Sequence, residues 1–442
     1  MRSFTLPTIL ASAFLAIAPA LDAPGSGPGT SAAADSPSPT TTANCAGTST
    51  GRIPLNDLGA GFYFGAQGGL YAGGVNQRPA GHNAAGIAIA QALTAIDTLG
   101  NPDPSGRVVL VSIGMSNCTQ EFSNFVPKCV ADPVKRPEVV PIDCAVGGQT
   151  ASVIKNPAAW YWDSVATRLR GRGSSPLQVQ VVWIKEANAG PTGNFATSSA
   201  ALLRDFGSMI RTIKDKLPNV KLAYFTSRIY AGYASTALNP EPYAYETGFV
   251  VKQLISAQIA GEDSLNYDPG QGAVEAPWMA WGPYLWADGL TPRSDGMTWA
   301  CADFANDGTH PAASGRAKVA DSLLAFFRAD ETTTPWYAIG AVGVSGARLP
   351  ARSTLKLAAR PVPASREVAL VLNGVPDGNW RIEIVDAAGR LLRRLDAGFA
   401  NGTPIAARWD LRDDAGRRLP PGVYWAQLVT HAARAETKVV IR

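Results

Sequence analysis

Between residues 51 and 337, short and almost wholly apolar runs alternate with longer stretches of helical period. The runs cover 107–113, 138–142, 177–184 and 220–225. Helical stretches are expected at 83–99, 158–170, 197–216, 245–260 and 312–328. A run such as Val108-Val109-Leu110-Val111 has no polar side, so a strand made from it must be covered on both faces. Such strands, separated by helices, imply a parallel sheet between two layers of helix, a three-layer α/β/α unit. In open sheets of this kind, sites form outside the carboxyl ends of the strands. The residues just after each run are therefore the ones to read for chemistry.

The last ninety residues follow another pattern. Seven β-rich runs recur at close spacing, at 354–358, 367–372, 381–386, 390–395, 406–410, 423–430 and 437–441. Turn signals such as Pro376-Asp377-Gly378, Ala388-Gly389 and Pro421-Gly422 separate them, which predicts a small all-β sandwich over 353–442, joined through a linker at 338–352. This segment carries 14 basic and 9 acidic residues, a surplus of five, against +4 for the whole chain, so the remainder stands at −1. With 39 basic and 35 acidic residues overall there is no electrostatic case for a nucleic-acid partner. A hydrophobic share of 46% with only 17% charged residues excludes a coiled coil and a wholly disordered chain.

The first twenty residues read as a secretory signal peptide. One arginine precedes an apolar run that ends in Ala18-Pro19-Ala20, with small residues where cleavage requires them. The run is interrupted by Pro7 and falls short of the roughly 20 residues that span a bilayer, so no transmembrane segment is expected. Residues 21–50 are dominated by Pro, Gly, Ser, Thr and Ala, the composition of a flexible tether. An exported protein favours disulfides among its five cysteines. Cys45, in the tether, is the natural one to stay unpaired, which leaves three possible pairings of Cys118, Cys129, Cys144 and Cys301 open.

Histidine narrows the chemistry, because the chain has only three, His82, His310 and His431. His431 lies on a late strand of the small domain without polar company, and His82 reads as a helix-start residue. His310 closes Asn306-Asp307-Gly308-Thr309-His310-Pro311, where a carboxylate three residues back can reach Nδ1–H and leave Nε2 free as a base. A nucleophile for that base appears at the end of the first apolar run, Val111-Ser112-Ile113-Gly114-Met115-Ser116-Asn117. Gly147-Gly148 follows the second run and Lys185-Glu186-Ala187-Asn188 the third. The N–H groups of Ser116 and Gly148 and the Asn188 amide would supply three donors for the oxyanion of an acyl-transfer intermediate. Lys185 and Glu186 read as a simple ion pair. Taken singly, Ser116 is equally a helix cap, Gly148 a turn and Asn188 a loop cap.

Together, serine, glycine, asparagine and Asp-x-x-His after successive strands resemble the SGNH hydrolases, also called the GDSL esterase/lipase family, over residues 51–330. The resemblance implies a flavodoxin-like sheet and a serine esterase that needs no metal or cofactor. It makes Ser116 the nucleophile, His310 the general base and Asp307 its orienting carboxylate, with Ser116, Gly148 and Asn188 as the oxyanion hole. Gly148 is preferred to Gly147 because Gln149-Thr150 follows it, as is common in the family. The family's Gly-Asp-Ser is Gly114-Met115-Ser116 here, and its Gly-x-Asn-Asp becomes Glu186-Ala187-Asn188-Ala189.

Trp278, Trp281, Trp286 and Trp299 crowd into 22 residues upstream of Asp307 and read as a pocket wall suited to a sugar ring or an acyl chain. The expected substrate is accordingly a small-molecule or polysaccharide ester, with an acylated carbohydrate favoured over lipid. The rival expectation is a non-catalytic surface protein that binds glycans through the same cleft. Finally, Trp409-Asp410-Leu411-Arg412-Asp413-Asp414-Ala415-Gly416 and Pro420-Pro421-Gly422-Val423-Tyr424 are similar to the Ig-like domain of flagellar hook-capping proteins and to the C-terminal sorting domains of type IX secretion substrates. That likeness implies a secreted or cell-surface protein whose last domain contacts the cell surface or the secretion machinery.

Overall fold

The computed structural model describes residues 42–339, 356–360, 364, 366–373, 378–386, 390–400, 405–430 and 434–442. The expected leader, residues 21–41 of the tether, residues 340–352 of the linker and His431 lie outside them.

Five parallel strands, β1 (Val108–Gly114), β2 (Val139–Asp143), β3 (Val179–Lys185), β4 (Leu222–Phe225) and β5 (Trp278–Trp281), lie in the spatial order β2-β1-β3-β4-β5. Every residue of β1, β3, β4 and β5 is buried, as their mostly apolar sequences require, and Ser112, Gln180 and Lys185 are buried with them. Six longer helices accompany them: α1 (Ala80–Ala92), α2 (Ser116–Val130), α3 (Trp160–Gly171), α4 (Phe195–Lys216), α5 (Tyr243–Ile259) and α6 (Ala313–Ala329). Helix α2 packs on α6 and α4 on α5. Among the described residues, no helix is long and apolar enough to cross a membrane.

The sheet order decides where a site can form. Strand β1 sits between β2 and β3, with Ser112 level with Asp143 and Gly114 level with Lys185. The chain leaves β1 toward one neighbour and later returns on its other side, which opens a crevice at the carboxyl end of β1. The loops after β1, β2 and β3 meet there.

Several expectations need correction. Helix α1 runs over Ala80–Ala92, three residues earlier than expected, and stops seven residues sooner because Ile96 turns to pair with Pro102 and Arg107. Helix α2 was not expected, although Cys118, Phe122, Phe125 and Cys129 form its buried stripe at helical spacing. The tryptophan wall does not exist. Trp278 and Trp281 belong to strand β5, and all four indoles, with Trp286 and Trp299, are buried. Their N–H groups are engaged by His82 O, Leu70 O, Glu241 Oε1 and Leu285 O at 2.7–3.1 Å, so they are core residues with satisfied donors.

The cysteine expectation also fails. Cys45 is bonded to Cys301, while Cys118, Cys129 and Cys144 are buried and unpaired. The segment around Cys45 is docked rather than free. Asn44 N–H donates to Tyr233 O at 2.9 Å, and Asp288 accepts from Ser49 Oγ, Thr50 N–H and Gly51 N–H at 2.5–3.0 Å. Burial pushes the Cys129 thiol up to about 11 and raises Cys118 and Cys144 as well.

The C-terminal region contains β6 (Lys356–Arg360), β7 (Val368–Asn373), β8 (Gly378–Asp386), β9 (Leu391–Ala400), β10 (Ile405–Trp409), β11 (Gly422–Thr430) and β12 (Arg434–Ile441). They form two antiparallel sheets, β9-β8-β11-β12 and β10-β7-β6. Both sheets contribute to one core, with Val368, Leu370 and Trp409 from the smaller and Ile384, Ala426 and Leu428 from the larger. The Trp-Asp motif builds a corner of that core. Trp409 Nε1 donates to Arg412 O at 3.0 Å, Tyr424 OH donates to Pro420 O at 2.9 Å, and the two rings lie 6.1 Å apart.

Candidate active site

Ser116 is the first residue of α2, two residues beyond the end of β1. The connection is tight because Gly114 has φ 155°, and a Cβ there would lie 2.3 Å from Lys185 O. Ser116 is half-buried, and its Oγ lies 2.8 Å from Nε2 of His310. On the other side of the ring, Nδ1 lies 2.5 Å from Oδ2 of Asp307. With Nδ1 carrying the proton toward the carboxylate, Nε2 is left as the acceptor for the serine hydroxyl. The structure thus brings together three residues that the sequence separates by 194 positions.

The Asp307–His310 turn is self-supporting. Asp307 Oδ1 accepts the N–H groups of Thr309 and His310, both at 3.0 Å. Burial acts to raise the Asp307 carboxyl, but the bonds from the His310 N–H and ring and the Thr309 N–H outweigh it and hold the group below the ordinary carboxylate range. Gly308 makes the turn possible, with φ 64° and a Cβ position only 1.9 Å from Tyr233 O.

The remaining predicted residues follow the two strands that flank β1. Gly148 has φ 75° in the loop after β2, which is tied to β1 by Val146 N–H donating to Gly114 O at 2.9 Å. A Cβ on Gly147 would come within 3.8 Å of Ser116 Cβ, so the Gly147-Gly148 pair passes beside the serine. Asn188, after β3, is held from both ends. Its Oδ1 accepts Ser152 N–H at 3.0 Å and its Nδ2 donates to Asp205 Oδ2 at 2.6 Å. One amide hydrogen of Asn188 remains for another acceptor. Among the described residues, the N–H groups of Ser116 and Gly148 also have no acceptor. For Ser116 this follows from its place at a helix start, where the first amides lack intrahelical partners.

Three positioning groups carry no recognisable motif. Asn117, 1% exposed, donates from Nδ2 to Thr309 O at 3.0 Å and so ties the first turn of α2 to the His310 turn. The connection after β4 ties the His310 turn to the Asn188 loop. Ser235 N–H donates to Asp307 O at 3.0 Å, Thr236 Oγ1 lies 2.8 Å from Thr309 Oγ1, and Gly190 N–H donates to Leu238 O at 3.0 Å. Beneath the site, Lys185 pairs with Glu121 of α2 at 2.5 Å, both fully buried. This corrects the expected Lys185–Glu186 pair. Glu186 instead accepts its neighbour's N–H, Ala187, at 2.8 Å, and burial raises its carboxyl well above the usual range. Burial likewise lowers Lys185, to about 8, and raises Glu121, with their mutual contact opposing both shifts. His82 is structural: its Nε2 lies 2.8 Å from Met279 O and its ring stacks on Trp278 at 4.7 Å. A sequence signal for Asn117 was present in its adjacency to Ser116, but the ties after β4 had none.

No family profile and no curated protein matches the chain. Among solved structures, latent PorU from Porphyromonas gingivalis aligns at 23% identity over 19% of this chain and 9% of its own, with a TM-score of 0.17. PorZ, a surface component of the type IX secretion system of the same organism, aligns at 19% identity over 25% of this chain and 14% of its own, at 0.16. BT4096, a gut microbial diltiazem-metabolizing enzyme, aligns at 12% identity over 69% of this chain and 72% of its own, at 0.29. The chain thus spans less than a sixth of the length of PorU and of PorZ. With such scores, none of these likenesses bears on how this chain folds or acts.

Proposed function

We propose that the chain is an exported serine carboxylic-ester hydrolase that works through an acyl-enzyme. The observation that carries this reading is the linked contact Ser116 Oγ–His310 Nε2 at 2.8 Å and His310 Nδ1–Asp307 Oδ2 at 2.5 Å, at the crevice of a parallel sheet. In the first half-reaction, Ser116 Oγ attacks the ester carbonyl carbon while Nε2 takes its proton. The carbonyl oxygen becomes an oxyanion, received by the Ser116 and Gly148 N–H groups and the free hydrogen of the Asn188 amide. As the intermediate collapses, the imidazolium returns the proton to the departing alcohol oxygen. Water then attacks the acyl-serine with the same histidine as base and releases the acid. Asp307 fixes the tautomer and stabilises the imidazolium throughout.

The strand order β2-β1-β3-β4-β5 supports a flavodoxin-like, SGNH-type architecture for this unit, and the shared core of the two antiparallel sheets supports an Ig-like sandwich. On that reading the sandwich is the sorting or attachment module, and it takes no part in the chemistry. The burial of the four tryptophans removes them as a substrate wall and with them the original reason for preferring a carbohydrate ester. The deciding experiment is hydrolysis of p-nitrophenyl acetate, butyrate and octanoate by the wild type, Ser116→Ala and His310→Ala. The wild type is expected to release p-nitrophenolate with a burst, and both variants to lose turnover. Undiminished turnover in Ser116→Ala would refute the mechanism.

A further inference from the structure

The segment before the parallel-sheet unit is fastened where the His310 turn is built. Cys45 is bonded to Cys301, three residues before Phe304, which pairs with Pro311 across that turn. Ala305 N–H donates to His310 O at 2.8 Å, so the turn closes on the chain that leaves Cys301. The turn also leans on the connection after β4. Tyr233 O lies 1.9 Å from where a Cβ on Gly308 would be, and Ser235 donates to Asp307 O through N–H and Oγ, at 3.0 and 3.1 Å. The same connection carries residues 44–48. Asn44 N–H donates to Tyr233 O at 2.9 Å, and Tyr230 OH donates to Gly47 O at 2.6 Å. A Cβ on Gly47 would lie 2.3 Å from Gly232 O. One carbonyl, that of Tyr233, thus touches both the N-terminal segment and the His310 turn.

Little besides the disulfide and these hydrogen bonds holds the N-terminal segment. Asp288 accepts from Ser49, Thr50 and Gly51, but none of residues 42–51 is buried. Segments held by hydrogen bonds without apolar burial open at the low end of a protein's stability range. Cys45 is exposed and Cys301 half-buried, which puts the bond within reach of a reductant, whereas Cys118, Cys129 and Cys144 are buried.

We propose that residues 44–51 form a strap that positions the His310 turn, and that the Cys45–Cys301 bond is a redox switch on that strap. A dithiol opens it when a thiolate attacks Cys45 Sγ, forms a mixed disulfide and expels the Cys301 thiolate, which takes up a proton. The reductant's second thiol then closes on the mixed disulfide and frees the Cys45 thiol. The dithiol leaves as a cyclic disulfide, having supplied the two electrons. The turn has then lost its tether at Cys301, and Tyr233 its hold on the strap, so His310 Nε2 is no longer kept against Ser116 Oγ. The inference rests on the hydrolase reading only for the turnover that the switch controls, since the coupling of strap to turn is independent of the chemistry.

The test reduces the full chain with dithiothreitol, alkylates it with iodoacetamide and removes both reagents before assay, because free thiols cleave aryl esters themselves. Two thiols are expected to be modified in the native protein. On p-nitrophenyl acetate, kcat is expected to fall at least ~tenfold with KM little changed, and to return in an aliquot reoxidised before alkylation. Cys45→Ser combined with Cys301→Ser should match the reduced protein and ignore the reductant. Hydrogen exchange on the same samples reads the coupling without any ester. Amides of 231–236 and 304–311 should exchange at least ~tenfold faster after reduction, and those of β1 and β3 at unchanged rates. Exchange at 304–311 that stays the same, or that rises together with β1 and β3, overturns the switch. So does an undiminished kcat in the reduced protein. If the oxidised protein cleaves no ester, the hydrolase reading fails, and the exchange rates alone decide the strap.

Discussion

Replacing Asp307 by asparagine separates the geometry of the site from its electronics. The side chain keeps its shape, and an amide oxygen in the place of Oδ1 can still accept the Thr309 and His310 N–H groups that it holds at 3.0 Å. What changes is the group facing Nδ1. An NH2 at 2.5–3 Å from Nδ1 must donate, so Nδ1 becomes the acceptor and the ring proton moves to Nε2. Nε2–H then points at Ser116 Oγ and cannot take the hydroxyl proton. The expected loss in kcat is ~10⁴-fold, about 5.5 kcal/mol of transition-state stabilisation. The fold should lose only ~1 kcal/mol, the difference between charge-assisted and neutral bonds at a turn that stays closed. Aryl-ester turnover and a thermal melt on the same preparation measure both. A melt within a few degrees of the wild type together with less than a tenfold drop in kcat would refute the assignment of Asp307. The pH dependence supplies a second check. A carboxyl held below its ordinary value contributes its full stability above the unfolded range, ~3.9, and loses it only as pH falls through the lower folded value. Any fall in wild-type activity between about pH 4 and 7 must therefore arise elsewhere than Asp307.

Gly308→Ala is expected to cost at least ~2 kcal/mol in urea unfolding, because φ 64° penalises a side chain and its Cβ would strike Tyr233 O. A change below ~0.5 kcal/mol would mean that the turn differs from the one described. Thiol titration should find three cysteines protected in the native protein and reactive once it unfolds without reductant, and peptide mapping should recover Cys45 linked to Cys301. A Cys118–Cys144 link would contradict this. Replacing Cys45 and Cys301 by serine should cost up to about 5 kcal/mol, given the 256-residue separation that the bond closes. Lys185→Met should destabilise by ~3–5 kcal/mol, because the buried Glu121 loses its cationic partner, and adding Glu121→Leu should recover most of that loss. If the double variant is no more stable than the single one, the pair does not behave as a coupled buried ion pair.

The parts of the fold that follow from a single period were legible in the amino-acid sequence. Strand β3 has seven buried residues in a row and was visible as a mostly apolar run, interrupted only by Gln180 before it ends at Lys185. The seven strands of the C-terminal region were visible through their turn residues. Strand β5 was not, because Trp278-Met279-Ala280-Trp281 has the composition of a ligand wall as much as of a core strand. What makes it core is a set of carbonyl partners on distant segments: His82 and Leu70 supply acceptors for its two indoles. Helix α2 was overlooked for a different reason. The interior Pro127 and the polar first turn mask the 118-122-125-129 stripe. Cys45 was misjudged because composition describes a segment's average tendency, whereas its docking depends on Asp288, 243 residues away in the chain, which collects the N–H and hydroxyl groups that follow the cysteine.

The candidate site divides along the same line. The groups proposed to react were legible because chemistry restricts residue type: only a few side chains can be nucleophile, base or oxyanion donor, and parallel sheets restrict where they stand. Their alignment was not legible, because it is set by groups whose identity chemistry barely restricts. Ser116 belongs to α2 and His310 to the turn before α6, and neither element alone fixes the 2.8 Å between them. That distance is set by Asn117 reaching Thr309 O, by Ser235 and Thr236 gripping the same turn, and by Gly190 drawing the Asn188 loop onto the connection after β4. A misplacement of ~1 Å costs on the order of a hundredfold in rate. The ties are therefore as necessary to the site as the triad, although a different amide or hydroxyl could make each of them. Lys185 and Glu121 belong to this second set. Their buried pair joins the end of β3, three residues before Asn188, to the second turn of α2, five residues after Ser116. A hydrophobic pair would be no less stable there. A directional 2.5 Å contact between two buried charges, with Arg228 buried beside them, nevertheless fixes the spacing of the proposed nucleophile and oxyanion donor in a way that apolar packing does not.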